Sequence, residues 1–139
     1  MFRATLIAVA AMGAVASPAL AADVTGLWAT PTKGGQIEIS RCGASLCGKL
    51  VTSETIKSNP SAKDGNNKDA AQRERPLKNL PMLSGFTGGP TTWTGGKVYN
   101  ADDGGTYSGT IDMLSDNQLK LKGCIVAPLC KTQVWNRVK

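Results

Sequence analysis

Tyr107-Ser108-Gly109-Thr110-Ile111-Asp112-Met113, then Ser115-Asp116-Asn117, then Leu119-Lys120-Leu121-Lys122 form the stretch that decides the fold. Apolar and polar residues alternate in both outer runs, the period of two expected of a half-buried strand. The Ser-Asp-Asn segment between them has turn chemistry. Two strands joined by a tight turn make an antiparallel hairpin. Upstream, Thr92-Trp93-Thr94 and Lys97-Val98-Tyr99 lead into the turn residues Asn100-Ala101-Asp102-Asp103-Gly104-Gly105. Downstream, 130–138 reads as a last strand carrying Trp135. Nearer the start, Gln36-Ile37-Glu38-Ile39-Ser40-Arg41 alternates in the same way, and Gly48-Lys49-Leu50-Val51-Thr52 follows it. Short strands at this spacing point to an all-β barrel or sandwich.

Residues 53–90 interrupt the pattern. They are rich in Asn, Lys, Asp, Gly and Pro and read as a long central loop. Such loops inside a compact domain are functional or disordered. A short helical turn is expected over 69–74, with Asp69 as its cap.

Four cysteines fall in two short pairs where strand-like runs meet. Cys42 and Cys47 enclose four residues, and Cys124 and Cys130 enclose five. An even count behind an export signal reads as a disulfide framework. We expect Cys42–Cys47 and Cys124–Cys130 to clip two hairpins. Cys42 shares a strand face with Ser40 and Glu38, and Cys124 with Lys122 and Lys120, so both clips are expected on the polar side, away from any interior cavity. The closed loops are short, and the chain-entropy relation gives each about 2 kcal/mol.

The export signal is the opening segment. Met1-Phe2-Arg3 precedes an alanine-rich apolar run over 4–16, and Pro18-Ala19-Leu20-Ala21 supplies small residues for cleavage after Ala21. The run is shorter than the ~20 residues that span a bilayer. Residues 1–21 are therefore expected to be a signal peptide, and 22–139 a single domain in the periplasm or secreted, with no transmembrane anchor after cleavage. The chain has 139 residues and a net charge of +6 of mixed pattern. No dense basic run with interleaved aromatics occurs, which argues against nucleic acid as a partner.

Catalytic chemistry is poorly represented. The chain has no histidine, so Ser-His and Cys-His nucleophiles are excluded. The cysteine spacing and the missing histidine do not suit zinc. Asp64-Gly65-Asn66 starts like a calcium loop, but Lys68 occupies the next ligand position and no glutamate closes it. Gly88-Gly89 and Gly95-Gly96-Lys97 lack phosphate-loop spacing. We expect no catalytic residues, no metal and no cofactor, and a non-enzymatic protein. Arg73 and Arg75 flank Glu74 in the central loop. Two guanidinium groups there suit an anionic headgroup; alternatively they pair with nearby carboxylates and tie the loop to the barrel. Trp93, Tyr99 and Tyr107 are candidates for an apolar pocket or, more simply, for core.

Gly26-Leu27-Trp28 resembles the glycine-x-tryptophan of lipocalin-like barrels, in which a last-strand arginine packs over the tryptophan. Arg137, two residues after Trp135, stands at the matching place. More broadly, Cys47-Gly48-Lys49-Leu50, Arg73-Glu74-Arg75-Pro76-Leu77, Met82-Leu83-Ser84-Gly85-Phe86, Gly96-Lys97-Val98-Tyr99, Gly123-Cys124 and Thr132-Gln133-Val134-Trp135 resemble the DUF2147 family of exported bacterial proteins. The chain departs from that pattern at Asn79, where a glycine is expected before Leu80, and at Lys68, where proline is usual. The resemblance implies a lipocalin-like antiparallel closed barrel of about eight strands, with Gly26, Trp28, Trp135 and Arg137 structural. It supplies no activity. By fold analogy the expectation is a small apolar or amphipathic, lipid-like ligand. Ile37, Ile39, Tyr107, Ile111 and Leu121 would hold its tail, and Arg73 or Arg75 would meet its head. The alternative is an envelope interaction module that docks a protein partner through the 53–90 loop.

Overall fold

A computed structural model describes residues 13, 23–126 and 128–139; the expected signal peptide over 1–21 lies almost wholly outside these residues. Eight strands are described: β1 (Gly26–Ala29), β2 (Gln36–Cys42), β3 (Ser45–Thr52), β4 (Leu80–Gly88), β5 (Thr92–Asn100), β6 (Gly105–Ser115), β7 (Gln118–Cys124) and β8 (Cys130–Arg137). Each pairs antiparallel with the next and β8 returns to β1, so the sheet closes into an up-and-down barrel. The hairpin that opened the sequence reading is β6–β7, with Ile111 opposite Leu121 and Met113 opposite Leu119.

Closure rests on a short seam. β1 registers with β8 at only two positions, Trp28 with Arg137 and Ala29 with Asn136. The Arg137 guanidinium reinforces it, lying 4.4 Å from the Trp28 ring centroid. It also donates to the Thr25 carbonyl at 2.9 Å, the Asp116 carbonyl at 2.7 Å and the Asp23 carbonyl. Trp28 is fully buried and its indole N–H donates to the Val24 carbonyl at 2.9 Å. Gly26 has φ of 135°, and a Cβ there would stand 2.6 Å from the Lys139 carbonyl oxygen and 2.8 Å from Arg137 Nη1. The glycine is therefore required by both backbone conformation and space.

Alternating strands put the β2–β3, β4–β5 and β6–β7 turns, residues 23–25 and the chain end together at one end of the barrel. That end is packed solid by Ile39, Leu46, Phe86, Trp93, Ile111 and Leu119, all buried. The Phe86 ring occupies the space left by Gly96 and Gly109, which face each other in register; a Cβ would come within 2.3 Å of that ring from Gly96 and 2.7 Å from Gly109.

The central segment differs from the expected unbroken 53–90 loop. Its last part is β4, whose buried residues Leu80, Leu83 and Phe86 recur every third position. The cause is bulging: Leu46 to Lys49 on β3 faces the longer stretch from Phe86 to Pro81 on β4, and Gly85 takes a φ of 71°. Extra residues break the period of two. At the start of the segment, α1 (Glu54–Ser58) is capped by Ser53, whose hydroxyl accepts from the Ile56 N–H at 3.2 Å. The expected turn is a 3₁₀ turn at Ala70–Gln72, with Asp69 accepting from Ala71 N–H at 3.0 Å. Asn79, standing where glycine was expected, has φ of 65°; asparagine is among the few residues that tolerate this left-handed region.

Both expected disulfides are formed, Cys42–Cys47 and Cys124–Cys130. They sit at opposite ends, the first at the packed end and the second at the open one. The expectation that both stand clear of the interior needs correction for the second, because Cys130 borders the cavity described below. A clip joining the last residue of β7 to the first of β8 falls on the barrel rim.

The seam makes two variants informative. Arg137→Lys keeps the charge but loses the planar stack and the fork, and should cost about 1–2 kcal/mol. Gly26→Ala should cost about 2–3 kcal/mol through strain and contact, lowering the melting temperature by roughly 10 °C. Thermal unfolding followed by near-ultraviolet circular dichroism reads both; wild-type melting in either variant would remove the seam from the account.

Candidate functional site

At the end opposite the packed core, the interior is hollow. A cavity of about 750 Å³ opens between the β1–β2, β5–β6 and β7–β8 loops and the chain leaving β3. Sites that hold small ligands occupy ~300–1,000 Å³. Inward positions of successive strands wall it: Ile37 on β2, Leu50 on β3, Leu83 on β4, Val98 on β5, Tyr107 on β6, Leu121 on β7, Gln133 and Trp135 on β8. Of the residues expected to hold an apolar tail, Ile37, Tyr107 and Leu121 line this space. Ile39 and Ile111 belong to the packed floor beneath it.

Polar residues border the cavity beside the apolar wall, among them Lys33, Asp102, Asp103, Tyr107, Lys131 and Gln133, and several are engaged with one another. Tyr107 donates its hydroxyl to the Asp103 carboxylate, which also accepts from the Gly105 N–H at 2.7 Å. Burial pushes the Asp103 carboxyl upward, but the Tyr107 and Gly105 bonds and the nearby Lys68 and Lys131 charges outweigh it and hold it below the ordinary value. The same bond to Asp103 raises the Tyr107 phenol. Gln133 accepts from the Trp135 indole at 2.9 Å. On the rim, Lys33 pairs with Asp102 at 3.2 Å. Lys131 also borders the mouth, and among the described residues no carboxylate lies within ion-pair reach of it.

Arg73 and Arg75 lie elsewhere. Asp64, 1% exposed, accepts from Asn67 at 2.9 Å, from the Tyr99 hydroxyl at 2.7 Å and from Arg75 Nε at 3.1 Å. The Arg75 guanidinium stacks 5.2 Å from the Tyr99 ring centroid. Arg73 Nε donates to the Asn67 carbonyl at 2.8 Å. This cluster ties the central loop to the outer face of β5. Beside it, a second cleft of about 490 Å³ runs along the outer wall, bordered by Lys68, Arg75, Ser84, Lys97 and Thr106. Tyr99 borders both spaces, neither arginine borders the interior one, and Trp93 is buried at the packed end. Burial works to raise the Asp64 carboxyl, yet the bonds from Asn67, Tyr99 and Arg75 hold it below its usual value. Burial, then the bond to Asp64, raises the Tyr99 phenol.

The sequence reading missed Lys131, Lys33 and Gln133. Lys131 and Gln133 were within reach, since they share the period-two face of Trp135. Lys33 belongs to a loop, where no periodicity assigns a direction. Among the described residues, no group of three or more Cys, Asp or Glu side chains is placed to hold a metal ion, and no helix is long and apolar enough to cross a membrane.

The family model DUF2147, described as "Uncharacterized protein conserved in bacteria", matches residues 26–137. A search of curated proteins finds no match. Among solved structures, the chain is similar to one described as "Protein HP1028 from the human pathogen Helicobacter pylori belongs to the lipocalin family". The two are 22% identical, the match covers 85% of this chain and 84% of that one, and the TM-score is 0.76.

The Asp64 cluster sets a pH signature. A carboxyl held below its unfolded value, near 3.9, contributes stability that is complete above that value and is lost as pH falls through the folded one. Asp64→Asn should therefore cost about 2 kcal/mol at pH 7, with the gap to wild type closing as acid protonates the native carboxylate. Urea midpoints at pH 7 and pH 3 measure this; an equal gap at both would contradict an ionised Asp64.

Proposed function

The chain belongs to the DUF2147 family, and from that premise we propose that it is an exported lipocalin-like carrier of a small amphipathic molecule. The hollow half of the barrel is the observation that carries this reading. Ile37, Leu83, Val98 and Leu121 would surround an apolar tail, with Tyr107 and Tyr99 beside it. The polar end would lie at the mouth, where Lys131 makes no close ion pair among the described residues, although its charge also acts on Asp103. An anionic head, a carboxylate or phosphate, suits that lysine. Two disulfides and the leader pattern of the sequence support an oxidising compartment, the periplasm or the cell exterior.

Under this reading Arg73 and Arg75 are loop anchors, and Trp93 is core. Docking of an envelope protein through the 53–90 segment has weaker support, because the chemistry that singled that segment out is directed at Asp64 and Asn67.

Gly123 gives a clean test. It borders the cavity, and a Cβ there meets only the Tyr107 Cβ, at an ordinary 3.6 Å. Gly123→Phe should fill the space without disturbing the fold. We expect a fluorescent fatty-acid probe to bind the delipidated wild type, at least about tenfold more weakly to Gly123→Phe, equivalent to 1.4 kcal/mol, with melting unchanged. Lys131→Gln should weaken an anionic probe and spare its neutral alcohol analogue. Absence of probe binding by wild type, together with no co-purifying small molecule in native mass spectrometry of envelope-derived protein, would sink the carrier reading.

A further inference from the structure

Ile125, Val126 and Leu129 are 68%, 62% and 63% exposed, the most exposed large apolar side chains among the described residues. They crowd into the single loop between β7 and β8. Isolated apolar groups on a surface need no explanation, and Leu114, Val134 and Val138 are of that kind. Three in one tip are different. The ends of the loop are also tied together: Cys124 and Cys130 face each other in register and are bonded. Ile125 N–H donates to the Leu129 carbonyl at 3.1 Å, and Leu129 N–H to the Val126 carbonyl at 2.6 Å. A loop whose ends are tied in advance loses less entropy when it is buried.

We propose that this clipped loop docks the barrel on an anionic lipid surface, with the three apolar side chains entering the acyl boundary and the cavity mouth held against the bilayer. Two observations choose this occupant. The first is continuity: Ile125, Pro128 and Leu129 border the cavity as well as the tip, so an apolar path runs from the interior to the exposed end of the loop. The second is charge. Lys131 stands at the base of the tip and Lys33 across the rim. Lys68 is close enough to act on Asp103, so three cations stand against the two rim carboxylates Asp102 and Asp103, and the chain carries a net charge of +6. A folded protein partner would need about 800 Å² from each side, more than three side chains offer. An interfacial anchor needs only a few apolar residues beside cations.

Docking goes beyond carriage and is read separately from it. The experiment is flotation of the disulfide-intact protein with vesicles of phosphatidylethanolamine and phosphatidylglycerol, and with vesicles of phosphatidylcholine alone. Probe uptake in solution, measured in parallel, tells a failed cavity from a failed tip. Wild type should float with the anionic vesicles and much less with the zwitterionic ones. Val126→Asp, which does not border the cavity, should float at least about tenfold less. Leu114→Asp, at the packed end, should float as wild type does. Three results would each overturn the proposal: no flotation of wild type, equal flotation of Val126→Asp, or a wild-type dimer in lipid-free solution that Val126→Asp dissociates. The last would assign the patch to a second copy of the chain.

Discussion

A sheet becomes a barrel only when its first and last strands meet, and here that meeting depends on Arg137 lying over Trp28. The β1–β8 seam registers at two positions, whereas β7 and β8 register at seven. Beyond those two positions the backbone pairing is extended by Leu27 bonding to Val138 and Lys139, which still leaves the seam short. Arg137 offsets this by gathering three carbonyls from two separate parts of the chain, 23–25 and 116, under one guanidinium stacked on an indole. Gly26 keeps that space empty of side chain. An open sheet would expose the edges of β1 and β8 and leave no enclosed interior, so the cavity at the far end presupposes this seam.

The interior is divided unevenly. Large side chains from every second strand position fill the packed half, and Phe86 sinks between Gly96 and Gly109 as a floor. Toward the mouth, by contrast, none of the described side chains sinks into the space beside Gly123, where a Cβ would meet only the Tyr107 Cβ. The same strands thus supply both parts, solid where a ring fills the space that glycines leave and hollow where none does. The central loop contributes from outside: Asp64 draws Asn67, Tyr99 and Arg75 to one buried carboxylate and so fixes the loop against the wall.

Periodicity and strand composition made six of the strands legible, β2, β3 and β5 to β8, whereas β1 was marked only by the resemblance that Gly26-Leu27-Trp28 carries. Periodicity failed on β4, where bulges turn the spacing of Leu80, Leu83 and Phe86 into threes. It also failed on α1, too short for a helical period and marked chiefly by the Ser53 cap. The cysteine pairing was legible, but its placement was not. Equivalent spacings in the two pairs hid that one lies at the floor and the other on the rim, a distinction set by how many times the chain has crossed the barrel. The arginines of the central loop were visible as chemistry, yet the direction of Arg75 depends on a carboxylate 11 residues before it and a tyrosine on β5, and that of Arg73 on the Asn67 carbonyl. At the mouth, the period-two face of Trp135 already carried Lys131 and Gln133.

Both described chain ends lie at the packed pole: Asp23 and Thr25 are bonded to Arg137, and Leu27 N–H to the Lys139 carbonyl at 2.7 Å. Anything joined to either end, whether a tether or a surface used for immobilisation, therefore holds the molecule by its base. The opening then points away from the point of attachment, which gives the barrel a fixed polarity, like a cup standing on its foot.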